Sequence, residues 1–236
     1  MRNLKLFTFA ALIGISTFFM CGFVDTVVKN SNPESKVTNS GTLGYAYGMI
    51  LGNDMKNRGF NLNDVSPEEL VKGLKAFYGE GAAIMDMQAA QNLINQETQK
   101  IKSVSGNKNL EAGKKFMIEN AKNPKIKTTA TGIQYEILTE GNGPKPAATD
   151  KVTTHYHGTL IDGTIFDSSV QRGQPIEFAL NQVIKGWTEV LQLMPKGSKW
   201  KVTIPSELAY GQQGPANIGP NSTLIFEIEL IKINGQ

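Results

Sequence analysis

The sequence predicts an α+β protein, helical in its first half and built on a sheet with one short helix in its second. The change of apolar period carries this prediction. Before about residue 122, apolar residues recur at helical spacing, as in Leu70, Val71, Leu74, Phe77 and Tyr78. Beyond about residue 131 they alternate: Ile133, Tyr135 and Ile137; Trp200, Val202 and Ile204; Leu224, Phe226, Ile228 and Leu230. Only Trp187, Val190, Leu191 and Met194 return to helical spacing, and Pro195-Lys196-Gly197 stops them. Many strands plus one short helix define the α+β class.

The chain begins with a segment that is not part of the fold. Met1 to Lys5 is a short basic head, and Leu6 to Met20 is apolar. That run is short for a membrane span of about 20 residues and fits the core of an export signal. Cys21 follows directly, where a bacterial lipoprotein carries its lipidated cysteine. It is the only cysteine, so no internal disulfide forms. Phe18-Phe19-Met20 stands where small residues are expected before such a cysteine, and no A-x-A cleavage site replaces them. A lipoprotein, a plainly cleaved signal and an uncleaved anchor all stay open. Residues 1–21 are read as the export signal ending at candidate lipidated Cys21. Residues 22–40, with Asn32-Pro33-Glu34-Ser35 in their middle, are read as a flexible tether.

Residues 41–122 are read as a helical domain with a connecting arm. Leu43 to Asn57 has Leu43, Tyr47 and Ile50 at helical spacing. Gly44, Gly48 and Gly52 recur on one face, each costing about 1 kcal/mol against alanine. They imply close approach of another helix, either from a second subunit or from the same chain. Ser66-Pro67-Glu68-Glu69 reads as a capped helix start. Asp86 caps a third helix, whose stripe includes Met87, Ala90, Leu93, Ile94 and Ile101; its methionines read as core. Ser103 to Asn109 is helix-poor, so Gly106 is expected to kink or interrupt this helix. Leu110 to Lys122 regains helical character through Ala112, Phe116 and Met117. Asn123-Pro124 ends the arm, and Lys125 to Ala130 is a linker.

Residues 123–236 hold the strands. Val152, Thr154, Tyr156 and Gly158 should face one way, and Thr153, His155 and His157 the other. Asp162-Gly163 is a turn signal, and Ile176 and Phe178 form a short strand beyond Pro175.

Composition excludes several functions. The net charge is +3, with lysines scattered among acids and no basic stripe interleaved with aromatics, so nucleic-acid binding is not expected. His155 and His157 share a face but lack a further ligand in metal spacing. No cofactor motif is present. What remains is aromatic and sparse in charge: Tyr156; Phe166-Asp167-Ser168-Ser169; Val183-Ile184-Lys185-Gly186-Trp187; Leu208-Ala209-Tyr210-Gly211; and Thr223-Leu224-Ile225-Phe226. This set offers one acid, phenols and an aromatic floor, without nucleophile, metal cluster or phosphate loop. It suits a reaction in which no bond is made or broken, such as rotation about an X-Pro peptide bond.

These motifs, in this order, resemble an FKBP-type peptidyl-prolyl isomerase domain over residues from about 131 to 233. Trp187-Thr188-Glu189, Leu191-Gln192-Leu193-Met194-Pro195 and Ile218-Gly219-Pro220-Asn221 resemble the bacterial macrophage infectivity potentiator and FkpA/FklB branch. Residues from about 43 to 122 resemble that branch's helical N-terminal domain.

The resemblance implies a twisted antiparallel sheet wrapped on a short helix, preceded by an all-α dimerisation domain at 41–122. It implies a rotamase acting on proline-containing unfolded polypeptides in the bacterial envelope (periplasm or outer membrane), with macrolides as inhibitors. Trp187 would floor the pocket. Tyr156, Phe166, Phe178, Val183, Ile184 and Phe226 would wall it, with Ile218 from the later loop among the substrate contacts. The Ile184 N–H and the Tyr210 hydroxyl would hold substrate carbonyls. Asp167 would orient the tyrosine hydroxyls, completing a catalytic set of Tyr156, Asp167 and Tyr210. Ile176 departs from the aromatic that many members carry at the pocket rim, and the wording of Gln212 to Pro220 departs from eukaryotic relatives. The rival reading is a chaperone for unfolded chains with incidental isomerase activity; degraded pocket positions would favour it, and these positions are intact.

Overall fold

The computed structural model describes residues 39–234. The expected export leader, Cys21 and all but the end of the expected tether lie outside the described residues. Helix α1 spans Asn39–Arg58, so it takes in the last two residues assigned to the tether. Its last turn carries Lys56 and Arg58, which complement the negative end of the helix dipole.

Helix α2 spans Pro67–Phe77, and the Ser66 hydroxyl accepts from the Glu69 N–H at 3.3 Å, with proline in the first turn. Helix α3 spans Met87–Asn120, and the Asp86 carboxylate accepts from the Ala89 N–H at 2.7 Å. Both starts follow the expected capping chemistry.

The expected interruption at Gly106 does not occur: α3 runs unbroken through 34 residues. Gly106 serves packing instead. A Cβ there would lie 3.1 Å from Asn221 Nδ2 and 3.4 Å from Pro220 Cβ. One turn pair further on, a Cβ at Gly113 would lie 2.2 Å from Thr223 Oγ1. Both glycines are buried, and Asn109, Met117 and Asn120 continue the same partly covered stripe. The second half of α3 thus lies flat against the stretch 220–223. Met117 and Asn120 also meet Gln134, whose amide donates to Met117 O and accepts from Asn120 Nδ2, both at 2.8 Å.

The first half of the helical region is different. Leu43, Tyr47, Ile50, Leu74, Phe77 and Tyr78 are all more than half exposed. Apart from α1's own backbone, no atom of the described residues lies within 4 Å of where a Cβ would stand on Gly44, Gly48 or Gly52. The apolar stripes read from the sequence exist, but the described chain does not cover them.

The strands are β1 Lys127–Thr128, β2 Gln134–Thr139, β3 Lys151–Leu160, β4 Ile165–Ser168, β5 Ile176–Ala179, β6 Lys199–Ile204 and β7 Leu224–Asn234. They form one seven-stranded sheet in the order β1-β2-β6-β7-β3-β4, with β5 pairing to β3. Every pairing is antiparallel. Strand β3 is the hub: it pairs with β7 along its length, with β5 at its start and with β4 at its end. The turn between β3 and β4 uses Gly163 at φ +86°, and Asp162 Oδ1 accepts from the Thr164 N–H at 2.9 Å. That bond, chiefly, holds the Asp162 carboxyl below its usual range.

Helix α4, Lys185–Leu193, supplies Trp187, Val190 and Leu191 to the core. They pack with Val152, Val202, Ile204, Leu224, Ile228 and Leu230, all fully buried. Each such aliphatic side chain contributes about 1.5–3 kcal/mol of burial. The strand alternation is what delivers these residues to one face.

Candidate active site

Strand β3 fixes the first side chain. Val152, Thr154, Tyr156 and Gly158 are buried while their neighbours are less covered, as the alternation requires. Tyr156 is anchored by its own backbone, whose N–H donates to Ser169 Oγ at 2.8 Å. Strand β4 brings Asp167 opposite Gly158. The Tyr156 hydroxyl then donates to Asp167 Oδ2.

Arg172 completes this cluster, and sequence reasoning missed it. Its Nη1 donates to Asp167 Oδ1, and its Nη2 donates to the Tyr156 hydroxyl at 2.9 Å. Its guanidinium carbon stands 5.7 Å from the Tyr156 ring centre. The only advance signal is a lone arginine in the turn after Phe166-Asp167-Ser168-Ser169, which no periodicity distinguishes.

Trp187 sits at the start of α4, beneath an aromatic wall. Its ring centre lies 5.3 Å from Tyr156, 5.4 Å from Phe178 and 5.3 Å from Phe226. All three contacts are edge-to-face, at 86°, 79° and 80°. Phe166 meets Phe226 at 5.4 Å and 90°. Such pairs place positive ring edges against negative faces and add about 0.5–1.5 kcal/mol each beyond burial. Val183, Ile184, Ile176, Leu208 and Ala209 are partly buried against the hydrophobic core to which these rings belong, and Ile218 is buried within that core. Every pocket residue named from the sequence therefore belongs to one contiguous set, except Tyr210, which projects at its edge and is 44% exposed.

Asp167 was expected to orient both phenols. It bonds Tyr156 directly; Tyr210 makes no bond to it. The other carboxylate oxygen accepts from Arg172. Tyr210 still feels the acid through space: burial first, and the Asp167 charge second, raise its hydroxyl above the usual phenol value. Tyr156 is pushed up to about 12, by burial foremost and then by its bond to Asp167. Burial also opposes the charge on Asp167, but the bonds from Tyr156 and Arg172 outweigh it and hold the carboxyl below the usual carboxylate range. Both phenols are neutral and the acid is charged throughout the physiological range. Because the folded value of Asp167 is lowered, its charge favours the fold above the unfolded value of about 3.9, and that contribution fades as pH falls through the lowered value.

The two histidines face away from the pocket. His155 Nδ1 lies 3.1 Å from Ser169 Oγ and His157 Nδ1 lies 3.0 Å from Ser168 Oγ. Among the described residues no group of His, Cys, Asp and Glu is placed to hold a metal ion.

Comparison with known proteins agrees with this geometry. The family model of FKBP-type peptidyl-prolyl cis-trans isomerases matches residues 143–231. The model of the domain amino-terminal to that isomerase matches residues 40–137. The 22 kDa FKBP-type isomerase of Escherichia coli K12 is 44% identical over 193 residues, covering 80% of this chain and 93% of the relative.

The chain belongs to the FKBP-type peptidyl-prolyl cis-trans isomerase family.

The outer membrane protein MIP of Legionella longbeachae is 38% identical over 98% of both chains. A crystal structure of FkpA from Escherichia coli superposes with a TM-score of 0.63 at 34% identity, covering 83% of this chain and 97% of that one. The α+β class read from strand alternation and the resemblance to the FKBP type carried by the motifs around Trp187 thus hold, as does the helical domain preceding it. The chain is an FKBP-type rotamase whose substrates are proline-containing polypeptides.

Proposed function

We propose that this enzyme rotates X-Pro bonds over Trp187, with Tyr156, Asp167 and Tyr210 as its catalytic set. The barrier to rotation is about 18–20 kcal/mol and comes from amide resonance. Twisting the bond localises the lone pair on nitrogen and shrinks the carbonyl dipole. A dry aromatic pocket disfavours the planar, more strongly hydrated amide more than it disfavours the twisted one. That is selective binding of the transition state. Five decades of acceleration need roughly 7 kcal/mol.

In this reading the proline ring rests on Trp187, between Tyr156, Phe166, Phe178, Val183, Ile184, Ile218 and Phe226. The Ile184 N–H, at the N-cap of α4, and the Tyr210 hydroxyl hold the flanking carbonyls. Asp167 presents a charge near the twisting carbonyl and does not act as a base, since no proton has to move. The observation that best supports this is the Tyr156–Asp167–Arg172 network at the edge of the aromatic cluster. Ile176, half-buried at its rim, sets the preference for the residue before proline and the affinity for macrolides. Asp167→Ala and Tyr210→Phe are each expected to lower kcat/KM on Ala-Pro or Leu-Pro tetrapeptides by about five- to tenfold, the worth of one hydrogen bond. Melting temperature should hardly move in Tyr210→Phe and should fall only modestly in Asp167→Ala, which loses the bonds from Tyr156 and Arg172. Full activity in both variants would remove these residues from the catalytic set.

We further infer a homodimer through residues 41–122, with an isomerase domain at 123–236 in each subunit. The uncovered stripe of Leu43, Tyr47 and Ile50, the open glycine face beside it, and the exposed Leu74, Phe77 and Tyr78 on α2 support this. Contiguous apolar surface of this kind marks an interaction site. The chaperone reading draws on the same surface, and the two roles are compatible.

The location that fits the leader is the bacterial envelope, in the periplasm or at the outer membrane, with Cys21 as a lipid anchor. Intact-mass analysis of the protein from its native envelope is expected to show lipid on Cys21 at the mature N-terminus. An unmodified Cys21, or a soluble form beginning elsewhere, overturns the anchor and leaves export standing.

A further inference from the structure

We propose that Asn109, on the connecting helix and outside the pocket, is a positioning residue for Tyr210 and Ile218. The inference rests on the role given above to Tyr210, and adds a control on it from α3.

Tyr210 opens a loop that closes at Pro220-Asn221-Ser222. Two chains of hydrogen bonds lead from Asn109 into that loop. In the first, Asn109 Nδ2 donates to Pro220 O at 2.9 Å. The next residue, Asn221, donates its N–H to Gly211 O at 2.7 Å. Gly211 adjoins Tyr210, so this bond ties the two ends of the loop together beside the phenol. In the second, Asn109 Nδ2 lies 3.3 Å from Ser222 Oγ, and that hydroxyl donates to Ile218 O at 2.7 Å. Ile218 is buried in the hydrophobic core that also holds Tyr156, Trp187 and Phe226.

The loop is otherwise costly to hold in shape. Asn221 has φ +53°, the left-handed region that a non-glycine residue enters at a penalty. Gly211 and Gly219 reach positive φ, +53° and +82°, without that penalty because they have no Cβ. Its other side-chain tie to the sheet is Asn217 Nδ2 to Phe166 O, at 3.2 Å on the exposed side. The helix face is shaped to receive the loop: Gly106 leaves room for Pro220 and Asn221, and Gly113 for Thr223. Beside this track a polar cleft of about 170 Å³ is lined from the helix by Gln99, Lys102, Ser103 and Asn107 and from the loop by Gln212, Gln213, Pro220 and Asn221. Asn109 is the side chain on this track that donates into the loop.

Asn109→Asp is close to isosteric and replaces the donating amide with an acceptor facing a carbonyl oxygen. In the full chain it is expected to lower tetrapeptide kcat/KM about tenfold, since small misplacements of positioning groups cost one to two decades. The amides of 211–222 should exchange hydrogen faster while those of β3, β6 and β7 do not. The deciding readout is the double variant. With Tyr210→Phe already present, the further loss on adding Asn109→Asp should shrink to less than half, because residues acting through one group are not additive. Gly106→Ala, which presses on Pro220 and Asn221 without touching Asn109, should reproduce the loop exchange and answers the question if Asn109→Asp fails to fold. Unchanged kcat/KM and loop exchange, or full additivity with a Tyr210→Phe that itself lowers activity, overturns the proposal. If Tyr210→Phe alone is silent while Asn109→Asp frees the loop and lowers activity, the role of Tyr210 fails and Asn109 acts through Ile218.

Discussion

Trp187→Ala is expected to abolish most of the isomerase activity and to destabilise the sheet domain by about 3–5 kcal/mol, the usual cost of emptying a buried aromatic site. Trp187 is 4% exposed and joins Tyr156, Phe178 and Phe226 through edge-to-face contacts near 5.3 Å. Removing it takes away the floor and leaves three rings without their common neighbour, so the walls relax inward. Thermal unfolding and tetrapeptide kinetics on the same sample check this. A stability loss of this size together with loss of activity separates Trp187 from Tyr210, whose removal should affect activity alone, and from Asp167, whose removal should cost far less stability. A stable Trp187→Ala protein with full activity would mean that the substrate binds elsewhere.

The second large effect concerns the helical region. A chain shortened to begin at Ser103 should be monomeric by light scattering and keep most tetrapeptide activity. It should lose much of its advantage on a protein whose refolding is limited by proline isomerisation. The reason is physical separation of two surfaces. Leu43, Tyr47 and Ile50 of α1 and Leu74 and Phe77 of α2 are exposed, while α3 from Gly106 onward is committed to the sheet domain. Two pockets linked by a dimer hold an unfolded chain at raised effective concentration, which short peptides do not sense. A cut at Lys125 is a poorer test, because it also strips Asn120 and Met117 from Gln134 and Asn109 from Pro220. Should the chain beginning at Ser103 remain dimeric, or refold proteins as well as the full chain, the division of labour fails.

Much of this architecture was legible in the residues. Alternation in β3, β6 and β7 gives strands because one face is buried, and burial selects every second residue. Trp187, Val190, Leu191 and Met194 read as a helix for the same reason at a different period. The caps at Ser66 and Asp86 were legible because capping is local chemistry. What could not be read depends on residues distant in sequence. Gly106 looked like a helix breaker, since a glycine's cost is local while its benefit here, space for Pro220 and Asn221, is not. Arg172 carries no periodic signal, and its place beside Asp167 and Tyr156 follows from the turn after β4.

The central claim is that the pocket lowers the barrier to amide rotation by desolvation and orientation, with no proton transferred. Measuring kcat/KM of the full chain for a Leu-Pro tetrapeptide across about pH 6 to 9 tests it most directly. Tyr156, raised to about 12, stays neutral across that window, and Asp167, held below the usual carboxylate range, stays charged. The account predicts a rate far above background and a flat profile. A rate no higher than background, or a bell-shaped profile reporting an essential acid and base, would contradict it.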